Sequence, residues 1–340
     1  MTLLTRRSFL GLAAAAAGCA LTAQWGSPAA RAAKPYRIAM VQWRGDTDVD
    51  RGMRDYLARA GLPVEYSVYN AAQDRDALAT IVQQVKAARP DLIYAFSTEG
   101  ALGVAGAIGA DPAAHVTDIP VVFAAVGDPL SANLVHGMPL SGRNVTGVIH
   151  LAPVKVQFET LASLFAPKRL AVLYNAAETY GRGAVAELRA VAEAAGVELV
   201  VESPTDADGK PHKELIAPAL DRLAASQPDA LYLPSTSFFI PLAEMLTEAA
   251  VARGLPTFSA NEPMIRRGKA MAGLVSSFYE VGQFAGHKVE RILAGGQSPA
   301  EVPVEALSRF SLLINMAAAR ELQVYPPITM LRYAEVIHGV

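Results

Sequence analysis

Two stretches of this chain end in hydroxyl-bearing residues at matching places. Pro90–Thr98 reads PDLIYAFST and Pro228–Thr236 reads PDALYLPST, 138 residues apart. Ser97-Thr98 and Ser235-Thr236 could cap helix N-termini, for which Ser and Thr are preferred. They could equally hydrogen-bond a polar ligand, and one hydroxyl can do both. Ser237 extends the second group. Glu99 follows the first pair directly. At a helix N-terminus an acid is a favourable first-turn residue, and it would repel an anion placed there.

Other chemistries find no support. The six histidines, at 115, 136, 150, 212, 287 and 338, include no i,i+4 pair and no HExxH, so neither a metal site nor a cofactor is expected. Phosphate-cradling GxxxxGK[ST] and nucleophile-bearing GxSxG are missing. Gly100, Gly103, Gly106 and Gly109 recur every third residue, which reads as a small-residue helix face. The formal net charge is −2 and no basic run carries interleaved aromatics, which argues against a nucleic-acid partner. Carboxylate pairs stay open, because the fold decides which acids meet. Asp128 with Glu262 is the couple that could serve the alternative function, an exported α/β enzyme.

The elements that must position these residues follow an alternating pattern. At 340 residues, 52% of them apolar, two domains are expected. Strands are expected at Tyr36–Trp43, Val64–Tyr69, Leu92–Ser97 and Pro120–Val126, with helices at Asp48–Ala60, Arg75–Arg89 and Glu99–Ala110 between them. The strands are apolar on both faces, as in a parallel sheet covered by helices on each side. The order then repeats: strand Arg169–Tyr174, helix Gly183–Ala195, strand Val197–Val201, helix Lys213–Ala225, PDALYLPST, helix Phe239–Arg253, and LPTFSAN at Leu255–Asn261. LPTFSAN answers IPVVFAA at Ile119–Ala125, with Pro256 and Pro120 136 residues apart. The expected fold is therefore α/β: two similar Rossmann-like lobes, each a parallel sheet flanked by helices. In such sheets ligands sit at the carboxyl ends of the strands, where both Ser-Thr pairs lie.

The first residues read as an address. Thr5-Arg6-Arg7-Ser8-Phe9-Leu10 resembles the twin-arginine export motif, and an apolar run from Phe9 to about Ala23 leads to Ala30-Arg31-Ala32-Ala33. Residues 1–33 are expected to be a signal peptide, with the mature protein in the periplasm. Cleavage near Ala32 removes three of the 30 basic residues and no acid, leaving 27 against 32, or −5. The single cysteine, Cys19, falls within this segment; a lipoprotein acylated there is the alternative.

An exported protein with two α/β lobes resembles a periplasmic solute-binding protein. VVFAAVGDPLSANLV (Val121–Val135) followed by GRNVTGV (Gly142–Val148) resembles the ABC-transporter substrate-binding family whose ligands include tryptophan and related amino acids. VLYNAAE (Val172–Glu178), FYEVGQFAGHKVERILAGG (Phe278–Gly296) and LLIN (Leu312–Asn315) match further segments of that family. The resemblance implies a type 1 periplasmic-binding-protein fold with three crossings at a hinge. Lobe 1 would be about 36–150 plus 279–296, and lobe 2 about 151–278 plus 297–330. It implies a small polar or amino-acid-like ligand held in the inter-lobe cleft by closure, with no catalysis. It also implies an ABC permease in the inner membrane, or a sensor domain, as partner of a monomer.

Carried over by position, the ligand-binding residues would be Ser97, Thr98, Glu99, Asp128, Asn175, Tyr180, Ser235, Thr236, Ser237, Asn261, Glu262 and Ser277. Trp43, following the first strand, could stack on a ligand or pack as part of a lid. Asp128 could instead open a turn and Asn175 could be an Asx-turn residue. The chain departs from the family where Thr236-Ser237 replaces a common Asp-Asn, Tyr180-Gly181 an Asn-Ser, and Ser277 an Asp. An α-amino acid needs a buried acid for its ammonium, so the family's ligand does not transfer directly.

Overall fold

A computed structural model describes residues 34–338. The expected signal peptide and Cys19 lie outside these residues. Among the described residues no helix is long and apolar enough to cross a membrane.

The first half alternates β1 (Tyr36–Gln42), α1 (Asp48–Arg59), β2 (Val64–Asn70), α2 (Arg75–Ala88), β3 (Leu92–Phe96), α3 (Ser97–Ala105), β4 (Val121–Val126) and β5 (Val145–Ile149). After α4 (Val154–Phe165) come β6 (Arg169–Leu173), α5 (Thr179–Ala194), β7 (Glu198–Glu202), α6 (Ile216–Ala225) and β8 (Ala230–Leu233). The order continues with α7 (Ala243–Val251), β9 (Thr257–Ser259), α8 (Glu262–Arg266) and β10 (Ala272–Val275). The chain closes with α9 (Phe278–Leu293), β11 (Glu305–Ala306), β12 (Ser311–Asn315), α10 (Met316–Leu322), α11 (Ile328–Leu331) and β13 (Glu335–Ile337).

Two sheets result. The first runs β11-β5-β4-β3-β1-β2 and is parallel throughout. The second runs β13-β12-β10-β9-β8-β6-β7, with β12 antiparallel to β10. Both orders reverse direction at the same place, between the first and third strands of each half. That is where an open α/β sheet leaves a crevice. β3 and β4 are buried at every residue, while β2, at the edge, is mostly exposed. Gly61 and Gly196, each expected to close a helix, both take φ of +70°, the left-handed turn glycine adopts at no steric cost.

Three crossings join the halves: 150–153, 276–277 and 307–310. The Ser276 hydroxyl donates to the His150 carbonyl oxygen, which ties the first crossing to the second. α9 returns to the first sheet and packs on α1 with the backbones nearly touching. A Cβ on Gly282 would lie 1.9 Å from the Val49 carbonyl oxygen, and one on Gly52 2.1 Å from that of Tyr279. Glu305–Ala306, expected with lobe 2, pairs instead with β5 of the first sheet. A two-residue pairing is too short for periodicity to reveal.

Two expected helix starts also move. α3 begins at Ser97 and α5 at Thr179, not at Glu99 and Gly183. Tyr180-Gly181 therefore belongs to a helical first turn rather than to a loop.

Candidate functional site

The strand ends of the two sheets meet around one cavity. Arg44 follows β1, Phe96 to Glu99 join β3 to α3, Ala125 lies near the end of β4 and Gly127 just after it. From the other half come Glu178 and Tyr180 at the start of α5, and Ser235, Ser237 and Ile240 after β8. His150 and Phe278, at the first two crossings, complete the lining. The free space between these residues is about 20 Å³, on the order of one water molecule. Larger hollows flank it. One of about 510 Å³ is lined by Trp43, Gln73, Lys210 and Phe238 among others, and one of about 380 Å³ by Asp128, Ser131 and Glu187 among others.

The lobes are clasped by hydrogen bonds. The Thr179 amide donates to Glu99 Oε1 at 2.7 Å, Arg44 Nη1 donates to Ser237 Oγ at 3.1 Å, and Arg75 Nη2 donates to the Ala177 carbonyl at 3.0 Å. The Arg44 guanidinium also lies over the Phe96 ring, 4.6 Å from its centroid. Burial pulls its pKa down to about 10, against the attraction of Glu178 and Asp50.

Glu178 is the most heavily hydrogen-bonded side chain of the cavity lining. Its Oε1 accepts from Asn175 Nδ2 at 2.9 Å and from the Phe238 amide at 2.9 Å, and its Oε2 from the Ser237 amide at 2.7 Å. Burial, with Glu99 as a like charge nearby, nevertheless pushes its pKa up, to about 7. His150 is pushed the other way, to about 3, chiefly by burial. The Ser235 hydroxyl donates to Asn261 Oδ1 at 2.7 Å, and His150 Nε2 shares a 3.1 Å hydrogen bond with the same Ser235 Oγ.

The backbone is strained beside the same cavity. Ser97 and Ala125 take φ of +78° and +58°, a region costing a non-glycine residue on the order of 1 kcal/mol or more. Both stand at strand ends, and β4 slips register against β5 between Ala124 and Val126. Such strain persists where surrounding packing over-determines it.

Ser97, Thr98, Glu99, Tyr180, Ser235 and Ser237 line the cavity. Ser97 Oγ also accepts from the Gly100 amide, so capping and facing the cleft coexist. Trp43 is buried with its indole N–H unpaired, beside the larger hollow rather than the central cavity. Asn175 makes the Asx turn, its Oδ1 accepting from the Ala177 amide at 3.0 Å, while its Nδ2 holds Glu178. Thr236 Oγ1 and Asn261 Nδ2 are buried without partners. Besides Trp43, Asn175, Thr236 and Asn261, three further residues stand outside the central cavity's lining. Asp128 accepts from the Leu130 and Ser131 amides as a turn opener. Glu262 binds Arg266 and the Phe278 amide, and Ser277 caps α9.

The Tyr174–Tyr180 turn was expected in the cleft, and it supplies Glu178 as well as Tyr180. Sequence reasoning did not single out Arg44, Phe96, Ala125, Gly127, His150, Ile240 or Phe278. Three carried a readable signal. Arg44 follows the first strand at the switch point, His150 follows the strand begun by GRNVTGV, and Phe278 opens the helix before which Ser277 was noted.

Comparison with known proteins places this geometry. A family model for the ABC transporter substrate binding protein matches residues 38–337. A tyrosine-binding protein of Clostridioides difficile (strain R20291) is 25% identical over 267 residues, 78% of this chain and 71% of that protein. Among solved structures, an ABC domain in complex with L-Trp from Streptococcus pneumoniae aligns with TM-score 0.78 at 26% identity, covering 90% of this chain and all of that one. A conserved domain protein from Vibrio cholerae aligns with TM-score 0.79 at 24% identity over the same shares.

Proposed function

Because the chain belongs to the ABC transporter substrate binding protein family, we propose that it captures a small polar or amino-acid-like molecule for an ABC-type importer. The ligand is held in the inter-lobe cleft and the lobes close on it. The lobes of this reading are about 36–150 with 279–296, and 151–278 with about 297–330, the β11 pairing excepted. The carrying observation is the clasp: Glu99 meets the Thr179 amide and Arg44 meets Ser237 across one cavity. Binding and closure are then one event, since a ligand touching both lobes stabilises only the closed form.

With space for on the order of one water when shut, the cleft takes a ligand only by opening and then re-forming around it. The relatives' ligands, tyrosine and L-Trp, favour an amino acid. Arg44, stacked on Phe96, is placed to receive a carboxylate. The site would include Ser97, Thr98, Tyr180, Ser235 and Ser237, with Thr236 and Asn261 offering unpaired polar atoms from behind. A permease in the inner membrane, or a sensor domain, would read the closed form. Delivery to the periplasm would use the twin-arginine segment.

The relatives are a tyrosine-binding protein and a domain in complex with L-Trp, and Asp128 lines a hollow beside Thr98 that Glu262 does not reach. Binding without turnover is the reading adopted. Its test is a thermal-shift screen against amino acids, organic acids and nucleosides, followed by mass spectrometry of the recovered ligand. A ligand at 100 times its Kd should add about 2.7 kcal/mol and return unchanged. A consumed ligand would transfer the case to an enzyme.

A further inference from the structure

We propose that Glu99 and Glu178, one carboxylate from each lobe, form a two-sided seat for an amino cation of the ligand. The inference rests on the cleft-binding reading and names the ligand group that drives closure. Both residues are buried, at 7% and 5% exposure, and both line the central cavity. They arrive from opposite halves: Glu99 in the first turn of α3, Glu178 immediately before α5. Closure brings them together, because the amide that Glu99 Oε1 accepts belongs to Thr179, the residue after Glu178.

Two like charges converging in a dry cleft oppose closure, and an opposite charge between them reverses the sign. The protein pairs neither carboxylate with a cation of its own among the described residues. Of the central cavity's lining residues Arg44 is the one cation, and it is committed to Ser237 and Phe96. Arg75 and Lys210 stand with both glutamates around the adjoining hollow, where Arg75 holds the Ala177 carbonyl. The donors that hold the two carboxylates are uncharged amides. Glu99 Oε2 accepts no hydrogen bond from any described residue, whereas both oxygens of Glu178 are held by Asn175, Ser237 and Phe238. One carboxylate is fixed and the other is half free. An ammonium group, with three N–H donors, would bridge them.

The same placement argues against an anion at these helix starts. Amides that could receive a ligand carboxylate, those of Thr179, Ser237 and Phe238, are occupied by the protein's own acids. A ligand carboxylate is left to Arg44.

The test is isothermal titration of the full chain with three matched series: the twenty common amino acids, their decarboxylated amines, and their deaminated acids. Sodium and potassium chloride serve as cation controls. Amine-bearing members should bind at least 100-fold more tightly than their deaminated partners. Glu99→Gln should weaken the amines tenfold or more and narrow that gap. Glu178→Gln should do the same, and because Glu178 also holds three protein donors, Glu99→Gln is the decisive variant if Glu178→Gln melts early. A deaminated acid binding within a few-fold of its amine would overturn the seat while leaving the binding-protein reading intact. So would equal binding by wild type and Glu99→Gln, or saturation by the salts alone. Failure of all three series to bind would overturn the seat, and silence of the wider thermal-shift screen as well would overturn the binding-protein reading.

Discussion

Gly127 and Tyr180 meet across the cleft so closely that a Cβ on Gly127 would lie 2.2 Å from the Tyr180 ring. Gly127 follows a strand of the first sheet and Tyr180 opens a helix of the second half, so the proposed closure would stop at this glycine. Gly127→Val should hold the lobes apart and weaken ligand binding tenfold or more, about 1.4 kcal/mol. The second change Tyr180→Ala should restore part of that loss. Small-angle scattering with saturating ligand checks it: a variant that compacts as fully as wild type would refute the stop.

Arg44 combines a hydrogen bond to Ser237 with a stack on Phe96. Arg44→Lys keeps the charge and loses the planar fork and the stack. Calorimetry should show it weaker for a carboxylate-bearing ligand by about 1 kcal/mol, and Arg44→Ala weaker by about 1.5–3 kcal/mol, the range for hydrogen bonds to charged groups. Ligands without a carboxylate should be affected less by either change.

Stability should depend on pH through two groups of opposite sign. The Glu178 pKa is raised to about 7 by burial and by Glu99, from an ordinary 4.5. Its contribution is fully present below about 4.5 and is lost as pH rises through about 7. His150 is lowered to about 3 from 6.5 by burial, so its contribution is present above 6.5 and lost as pH falls toward 3. Glu178→Gln removes the first term alone. Urea unfolding should therefore show the variant gaining on wild type between about pH 4.5 and 7, by at most about 1.4 kcal/mol per pH unit. Parallel profiles would show that Glu178 titrates normally.

Glycines in helices separate steric need from weakness. A Cβ on Gly282 would strike the Val49 carbonyl oxygen at 1.9 Å, whereas one on Gly183, within α5, meets nothing within 4 Å. Gly183→Ala should stabilise by about 0.5–1 kcal/mol through helix propensity. Gly282→Ala should destabilise by about 1–3 kcal/mol, because the backbones of α1 and α9 must separate. Thermal melts of the two variants shifting in the same direction would contradict this packing.

The sequence by itself determined the strand-and-helix alternation, the two halves and which strand ends face the cleft. These are local or repeated properties. Apolar runs such as LIYAF are buried at every residue, and the duplicated PDLIYAFST and PDALYLPST segments both end at the cleft. Tertiary structure decided which polar groups meet there. Glu99 reaches the Thr179 amide 80 positions away and Arg44 reaches Ser237 193 positions away, and no spacing rule connects residues on different lobes. Asp128 and Glu262 looked equally eligible as acids, yet their carboxylates are taken by the Leu130 and Ser131 amides and by Arg266. The physical reason is that a side chain's chemistry follows the partners and burial that the meeting of the two halves brings to it, and those belong to the packed whole.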